Sequence, residues 1–176
     1  MSRLVKLSFL SMLAVLLAGC GFHLRQSVAL PPSMQRIHLA VNNGGDLQRN
    51  LARALRNSGI TVEDAPGPGV AELAVPLASF STDTLSISGG ARITEYSVHY
   101  QVQFSVADGA GKSLLPEQTI QMSREYSYDA TNTIGNDAQV EEIERSLIDD
   151  MVQSILFRLQ AAARHADAAA PGTSSP

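Results

Sequence analysis

A strict alternation of polar and apolar residues between Glu95 and Val106 constrains the fold more than any other feature of this 176-residue chain. Its apolar members are Tyr96, Val98, Tyr100, Val102, Phe104 and Val106, and its polar members are Glu95, Ser97, His99, Gln101, Gln103 and Ser105. Successive side chains of a strand point to opposite faces of its sheet, so this pattern predicts a long strand with one buried face and one wet face. A second layer must cover the apolar face.

Further strands are predicted on both sides of this one. Residues 36–41 alternate in the same way, Ile60 and Val62 begin a short strand, and longer strands are predicted around 73–87 and 120–128.

Turns and a proline divide these strands. Gly89-Gly90 suits a hairpin tip, and residues 108–111 suit the next turn. Pro76 cannot donate a backbone hydrogen bond, which predicts a sheet edge or a bulge at that point.

Two segments have the 3.6-residue period of amphipathic helices. Asp46 can cap the first helix and Gly59 can end it. One face of this helix carries Leu47, Leu51, Ala54, Leu55 and Ser58. The second helix follows a capping-box pattern at Asn136 and Gln139. Its apolar stripe consists of Val140, Ile143, Leu147, Met151, Ile155 and Leu159.

These elements predict an α+β fold. It is a two-layer sandwich in which two helices pack on one face of a mainly antiparallel sheet of four or slightly more strands. We place this single domain at residues 36–164, after a tether at 20–35 that contains Pro31-Pro32. Residues 165–176 are small, polar and proline-containing, which predicts a disordered tail.

The amino terminus has the pattern of a bacterial lipoprotein signal. Arg3 and Lys6 precede a short apolar run that ends in Leu17-Ala18-Gly19-Cys20, and Cys20 is the only cysteine in the sequence. This pattern predicts cleavage after residue 19 and attachment of lipid to Cys20. The alternative interpretation is an ordinary secretory signal in which Cys20 is incidental.

Charge and motifs exclude several classes of function. Residues 1–19 carry two basic residues and no acidic one, so their removal changes the net charge from −4 to −6. This charge argues against a nucleic-acid-binding protein. The four histidines lack metal-ligand spacing, and no recognised catalytic or cofactor motif occurs, so we predict no metal, cofactor or enzymatic activity.

A few basic residues are the candidate binding residues. Arg49, Arg53 and Arg56 lie on the helix face opposite the apolar stripe. They form either a solvated face or a contact with a polar partner. Arg92 follows the predicted hairpin tip and Lys112 follows the next turn, where cations can meet phosphates. The four tyrosines are interpreted as packing residues rather than a ligand site.

Several segments in order resemble one protein family. These are GCGFHLR at residues 19–25, LARALRNSGI at 51–60, TEY at 94–96 and REY at 124–126. Together with the alternating strand and the last helix, they resemble the LptE family of lipopolysaccharide-assembly lipoproteins. The likeness extends to about Arg164.

The resemblance implies a fold, a partner and a ligand. It implies a two-helix α+β domain without enzymatic activity, located inside the lumen of the outer-membrane β-barrel LptD. It further implies that the protein helps that barrel to assemble and binds lipopolysaccharide on its way to the cell surface. Gly21, in place of an aspartate after the lipidated cysteine, fits sorting to the outer membrane, with the domain facing the periplasm and the barrel lumen.

The chain also departs from the family pattern. Family members can place a basic residue at the tip of the central hairpin, where this chain has Gly89-Gly90, and Arg92 is the candidate replacement. The loop at 130–138 contains no lysine or arginine. The alternative functions are an accessory lipoprotein of another envelope lipid-transport system and a lipid-anchored hydrolase.

Overall fold

The computed structural model describes residues 32–42, 44–87, 93–129 and 131–169. The predicted signal, Cys20, most of the tether, the Gly89-Gly90 tip and Arg92 therefore lie outside the described residues. A short 3₁₀ helix, Pro32–Met34, leads into the first strand.

Five strands form one mixed sheet in the described part of the chain. They are β1 (Arg36–Val41), β2 (Thr61–Glu63), β3 (Ala71–Ile87), β4 (Ile93–Ala107) and β5 (Ser113–Ser127). Their order across the sheet is β2-β1-β3-β4-β5. The α+β sandwich predicted from the sequence is confirmed.

One half of this sheet is parallel, which corrects the prediction in a detail. β1 pairs in parallel with both β2 and β3, whereas β3–β4 and β4–β5 are antiparallel. The helix between β1 and β2 returns the chain to the same end of the sheet, which is how parallel neighbours are connected. The alternation of polar and apolar residues indicates which face of a strand is buried, but it does not indicate whether the neighbouring strand is parallel or antiparallel.

The predicted irregularity at Pro76 is confirmed as a bulge. The register of β3 against β4 shifts between Ala74 and Leu77. β1 also ends here, where the backbone N–H of Asn42 donates to the Val75 carbonyl at 3.1 Å. Because Pro76 has no N–H, it fits the point at which β3 loses one of its two neighbours.

Helix α1 (Gly45–Asn57) buries the predicted leucine stripe, but its start differs from the prediction. Asp46 lies in the first turn and does not cap the helix; the N-cap position is Gly44, which makes no side-chain capping bond. A Cβ on Gly44 would lie 2.7 Å from side-chain atoms of both Val41 and Gln48, so this tight turn after β1 favours glycine. Gly59, with φ of 82°, follows the end of the helix as predicted.

Helix α2 (Thr133–Ala169) begins before the capping box that the sequence predicts at Asn136. The Asn132 side-chain oxygen accepts a hydrogen bond from the Gly135 N–H at 3.1 Å. Asn136 is 6% exposed, and its amide group donates to the Asp129 carbonyl at 2.7 Å and accepts from the Asp129 N–H at 3.2 Å. The predicted cap at Asn136 is therefore wrong, because this side chain binds the preceding loop to the helix.

The carboxyl-terminal part of α2 runs beyond the predicted end of the domain. The helix continues past Arg164 to Ala169, into the segment interpreted as a tail. Residues 170–176 lie outside the described residues.

Both helices cover the same face of the sheet and share one core with it. The buried members include Leu47, Leu51 and Leu55 of α1, Leu147, Met151, Ile155 and Leu159 of α2, and Val98, Tyr100, Val102, Phe104 and Val106 of β4. The apolar face predicted for β4 is thus the core face. On its other face, Ser97 departs from the predicted wet pattern because it is buried.

Candidate functional site

The face of the sheet turned away from the helices is polar along the three long strands, and we call it the open face. Its side chains alternate with the core-facing ones along the three long strands. In its middle lie Ser79, Ser81 and Asp83 of β3, His99, Gln101, Gln103 and Ser105 of β4, and Thr119, Gln121 and Ser123 of β5. Most of these groups are uncharged hydroxyls and amides.

Hydrogen bonds and ion pairs connect neighbouring strands across the open face. The Gln121 amide donates to the Gln101 side-chain oxygen at 2.9 Å, and the Nε2 atom of His99 lies 3.3 Å from the Asp83 carboxylate. Near the other edge of the sheet, Arg36 pairs with Glu63 at 2.8 Å. The middle of the open face therefore offers many hydrogen-bonding groups, whereas Glu95 and Glu125 near one end of it are exposed carboxylates with no ion-pair partner among the described residues.

The three arginines of α1 are exposed, as the helical period predicts, but their surroundings differ. Arg49 forms an ion pair with Asp46 one turn earlier. Arg53 lines a groove of about 360 Å³ between the two helices. Within the described residues, neither Arg53 nor Arg56 has a carboxylate at ion-pair distance. Of the predicted stripe, these two cations are the ones available to a partner.

The groove beside Arg53 is lined mainly by polar residues, and a hydrogen bond between the helices crosses it. Its other lining residues are Asn50, Ala54, Asn57, Asp149, Asp150, Val152 and Gln153. The Asn50 side chain donates to the Asp149 carboxylate at 2.9 Å across it. The pair Asp149-Asp150 thus serves in contacts between elements, since Asp150 also binds Arg124 at 2.7 Å.

Lys112 lies exposed on the turn between β4 and β5, and this turn is well braced. The Asp108 carboxylate accepts hydrogen bonds from the backbone N–H groups of Ala110 and Lys112, each at 2.9 Å. A Cβ on Gly109 would lie 2.7 Å from the Gly67 carbonyl oxygen, so the turn packs closely against the loop before β3.

Of the two cations predicted to meet lipopolysaccharide, the structure describes Lys112 but not Arg92. Lys112 follows the end of β4 at Ala107, whereas Arg92 precedes its start at Ile93 and lies outside the described residues. β4 has 15 residues, so its ends are roughly 45 Å apart at the rise of a strand.

Two other arginines join α2 to β5 and were not predicted as contacts from the sequence. Arg124 of β5 binds Asp150, and Arg158 donates to the Gln118 side-chain oxygen at 3.1 Å and to the Thr119 carbonyl at 3.4 Å. No pattern in the sequence indicates that Arg158 contacts β5. Its contact with β5 depends on how the helix lies against the sheet.

The tyrosines pack on the core side of the sheet. Tyr100 stacks on Phe80 with ring centroids 4.0 Å apart, and burial raises the pKa of Tyr100 to about 12. Tyr96 stacks on Tyr126 and meets Tyr128 edge-on, both at 5.5 Å. Burial, followed by the proximity of the other two tyrosines, raises the pKa of Tyr126. The hydroxyls of Tyr100 and Tyr126 therefore stay protonated at neutral pH.

Within the described ranges, the structure contains neither a candidate metal-binding cluster nor a candidate membrane-spanning helix. No group of three or more histidine, cysteine or acidic side chains is placed to hold a metal ion. Neither described helix combines the length and apolar character that crossing a bilayer requires.

Comparison with known proteins identifies related chains. The family model described as "LptE: Lipopolysaccharide-assembly" matches residues 27–159. A protein of Yersinia enterocolitica named LPS-assembly lipoprotein LptE is 29% identical over 150 residues, which are 84% of this chain and 72% of that protein. A Yersinia pestis protein of the same name is 28% identical over 158 residues, covering 87% and 74% of the two chains.

Solved structures share the fold. Lipoprotein B of Nitrosomonas europaea superposes with a TM-score of 0.68 at 23% identity, covering 84% of this chain and 94% of that one. The rare lipoprotein B of Shewanella oneidensis gives 0.66 at 22% identity, covering 75% and 98%. At these identities the likeness establishes the architecture.

Proposed function

The chain belongs to the LptE family of lipopolysaccharide-assembly proteins, and we propose that it plugs the outer-membrane barrel LptD, helps that barrel to assemble, and binds lipopolysaccharide for insertion at the cell surface. In this role the protein is a binding and assembly factor rather than an enzyme. The observation that carries the proposal, beyond the family itself, is the open face.

The open face suits the inside of a large barrel. Barrel interiors of outer-membrane proteins are polar, so a domain that fills one must present hydrogen-bonding groups to the wall. The open face presents hydroxyl and amide side chains such as Ser79, Gln101 and Gln121, and the Nε2 atom of His99 lies close to the Asp83 carboxylate there. The core, by contrast, stays closed beneath the two helices.

We propose that lipid on Cys20 holds the domain at the outer membrane, facing the periplasm and the barrel lumen. In this arrangement residues 1–19 are the signal and residue 20 begins the tether. The predicted start of the domain at residue 36 is slightly too late, because Met34 is 1% exposed and belongs to the core. Helix α2 continues past Arg164 to Ala169. Attachment to the same membrane as the barrel raises the local concentration of the two proteins.

Co-purification from membranes tests the barrel partnership. The full-length lipoprotein is expected to bring down LptD in a stable stoichiometric complex. Replacing Gln101 and Gln121 together by glutamate adds two carboxylates to the open face and is expected to weaken recovery of the barrel several-fold. Gln139→Glu, at an exposed position of α2, is the matched control.

The possible results of that experiment test the barrel partnership and the role of the open face separately. Absence of LptD from the native sample contradicts the proposed function. Full recovery with the double glutamate variant would instead keep the partnership but show that the open face does not contact the barrel. Loss with Gln139→Glu alone would place the contact on α2.

Arg92 and Lys112 are proposed as contacts for the anionic groups of lipopolysaccharide. Arg92→Ala is expected to weaken lipopolysaccharide binding measurably while changing the free energy of unfolding by no more than about 0.5 kcal/mol, as is usual for surface substitutions. Binding is measured at low and moderate salt, since ion pairs weaken with ionic strength. Equal binding by native and Arg92→Ala proteins in both conditions removes Arg92 from the site.

Lys112→Ala and Arg53→Ala extend the same comparison to the other cations. Lys112 lies on a braced turn, so its loss tests charge without disturbing the fold. We propose Arg49, Arg53 and Arg56 as partner contacts, with Arg53 and Arg56 contributing more because Arg49 is already paired with Asp46. Arg53→Ala is therefore expected to affect partner recovery more than lipopolysaccharide binding.

A further inference from the structure

One end of the open face carries a group of carboxylates around a buried serine. In the register of the sheet, Ser97 of β4 lies directly between Asp83 of β3 and Glu125 of β5. Glu95 lies two residues away on β4, so its side chain is on the same face as that of Ser97. We call Asp83, Glu95 and Glu125 the acidic end of the open face.

The described part of the chain does not balance the charge of this acidic end. Glu95 and Glu125 have no ion-pair partner there. Arg124, which precedes Glu125 on β5, points to the other face of the sheet and binds helix α2. The Nε2 atom of His99 lies 3.3 Å from the Asp83 carboxylate, but an imidazole carries a positive charge only when it is protonated.

The Ser97 hydroxyl lies at the base of the acidic end. Ser97 is 3% exposed, although it is on the face turned away from the helices. None of the hydrogen bonds between described side chains involves its hydroxyl. Beside it, Glu95 and Glu125 line one hollow of about 390 Å³, which Ser127 also borders. Because buried polar groups are normally hydrogen-bonded, this hydroxyl points to a bound group that supplies its partner.

We propose that the acidic end receives a cationic side chain, arginine or lysine, from the inner wall of the LptD barrel. This inference rests on the proposed function, in which the open face lies against that wall. Contact with the wall removes water from the carboxylates, and a charge that loses its water without gaining a partner is strongly destabilising. The wall must therefore supply a positive group opposite the acidic end.

The spacing of the acidic end suits an organic cation rather than a metal ion. Asp83 and Glu125 lie on either side of β4, so their Cα atoms are roughly 10 Å apart at the strand spacing. Among the described residues, no three acidic or histidine side chains are placed to hold a metal ion. A guanidinium or ammonium group has several N–H donors, so above Ser97 it can pair with carboxylates on two sides and donate to the hydroxyl.

This contact also fixes the orientation of the domain against the wall. Charged pairs across an interface contribute to register and specificity more than to raw affinity. The middle of the open face presents mostly hydroxyls and amides, such as Gln101 and Gln121, which can bond to a polar wall in several orientations. The acidic end accepts only an orientation in which a cation faces it.

Co-purification of the full-length lipoprotein with LptD tests this contact. Glu125→Gln removes the charge but keeps the size of the side chain, so it is expected to lower recovery of the barrel several-fold. Glu125→Lys places a cation against the proposed cation and is expected to lower recovery further, and Glu95→Gln tests the second carboxylate. Glu141→Gln and Glu141→Lys, at an exposed position of α2, are matched controls that are expected to leave recovery unchanged. Circular dichroism establishes that each variant is folded.

Failure of this inference and failure of the proposed function give different results. If the native protein does not bring down LptD, both are overturned. If the native protein brings down the barrel and the Glu95 and Glu125 variants recover it as well as the Glu141 variants do, only the cationic contact is overturned. Greater recovery with Glu125→Lys than with Glu125→Gln, or an equal loss from the Glu141 variants, would also overturn it.

Discussion

Replacing Phe104 by alanine is expected to lower the free energy of unfolding of the domain by about 3–5 kcal/mol. Phe104 is fully buried, with 0% of its surface exposed, near the carboxyl end of β4 and within the shared core. Its removal loses the free energy of transfer of a large apolar group and leaves a cavity between sheet and helices. Urea denaturation followed by circular dichroism measures the difference.

Gln103→Ala provides the control, because the two residues are adjacent in β4 but point to opposite faces. Gln103 is half-buried on the open face, so its loss is expected to change the free energy of unfolding by about 0.5 kcal/mol or less. A loss from Gln103→Ala as large as that from Phe104→Ala would contradict the assignment of the two faces.

The buried face of each strand and helix could be predicted because it follows from the short-range periodicity of the sequence. A period of two along β4 and a period near 3.6 along the helices identify the side chains that meet in the core, including Phe104 and Leu147. No such periodicity indicates whether β1 pairs with β3 in parallel or antiparallel. It depends on the path of the connections, and so the parallel half of the sheet was not predicted.

The starts of the helices show a second limit of sequence reasoning. Asp46 and Asn136 both have a side chain that can cap a helix, and both lie within the first turn in the structure. The position before α1 is taken by Gly44, since a side chain there would collide with Val41 and Gln48. Asn136 finds a partner in the backbone of Asp129 instead. Whether such a side chain caps a helix therefore depends on the groups that the tertiary fold places beside it.

The candidate binding residues could be identified from their type and position in the sequence. Which of them form ion pairs within the chain could not be predicted. Exposure of Arg49, Arg53 and Arg56 follows from the helical period, whereas the pairing of Arg49 with Asp46 separates it from the other two. Arg124 and Asp150 are 26 residues apart in sequence and meet only because α2 lies against β5. The distance between Lys112 and the start of β4 likewise follows from the length of that strand.

Leu147→Ala is the second substitution expected to have a large effect, about 2–5 kcal/mol of unfolding free energy. Leu147 lies on the apolar stripe of α2 and is 1% exposed. It belongs to the same core as the buried face of β4, so the substitution measures how strongly α2 packs on the sheet. The variant is compared with native protein by urea and thermal denaturation.

Phe157→Ala on the same helix separates burial from residue size. Phe157 is the larger side chain, but 58% of its surface is exposed, so its truncation is expected to cost about 0.5 kcal/mol or less. Both substitutions place alanine in a helix interior, where alanine is the most favourable residue, so helix propensity does not explain a loss in either variant. If Leu147→Ala left stability unchanged while Phe157→Ala lowered it, α2 would face the sheet with the opposite side, and the polar surface between the helices would have to be reassigned.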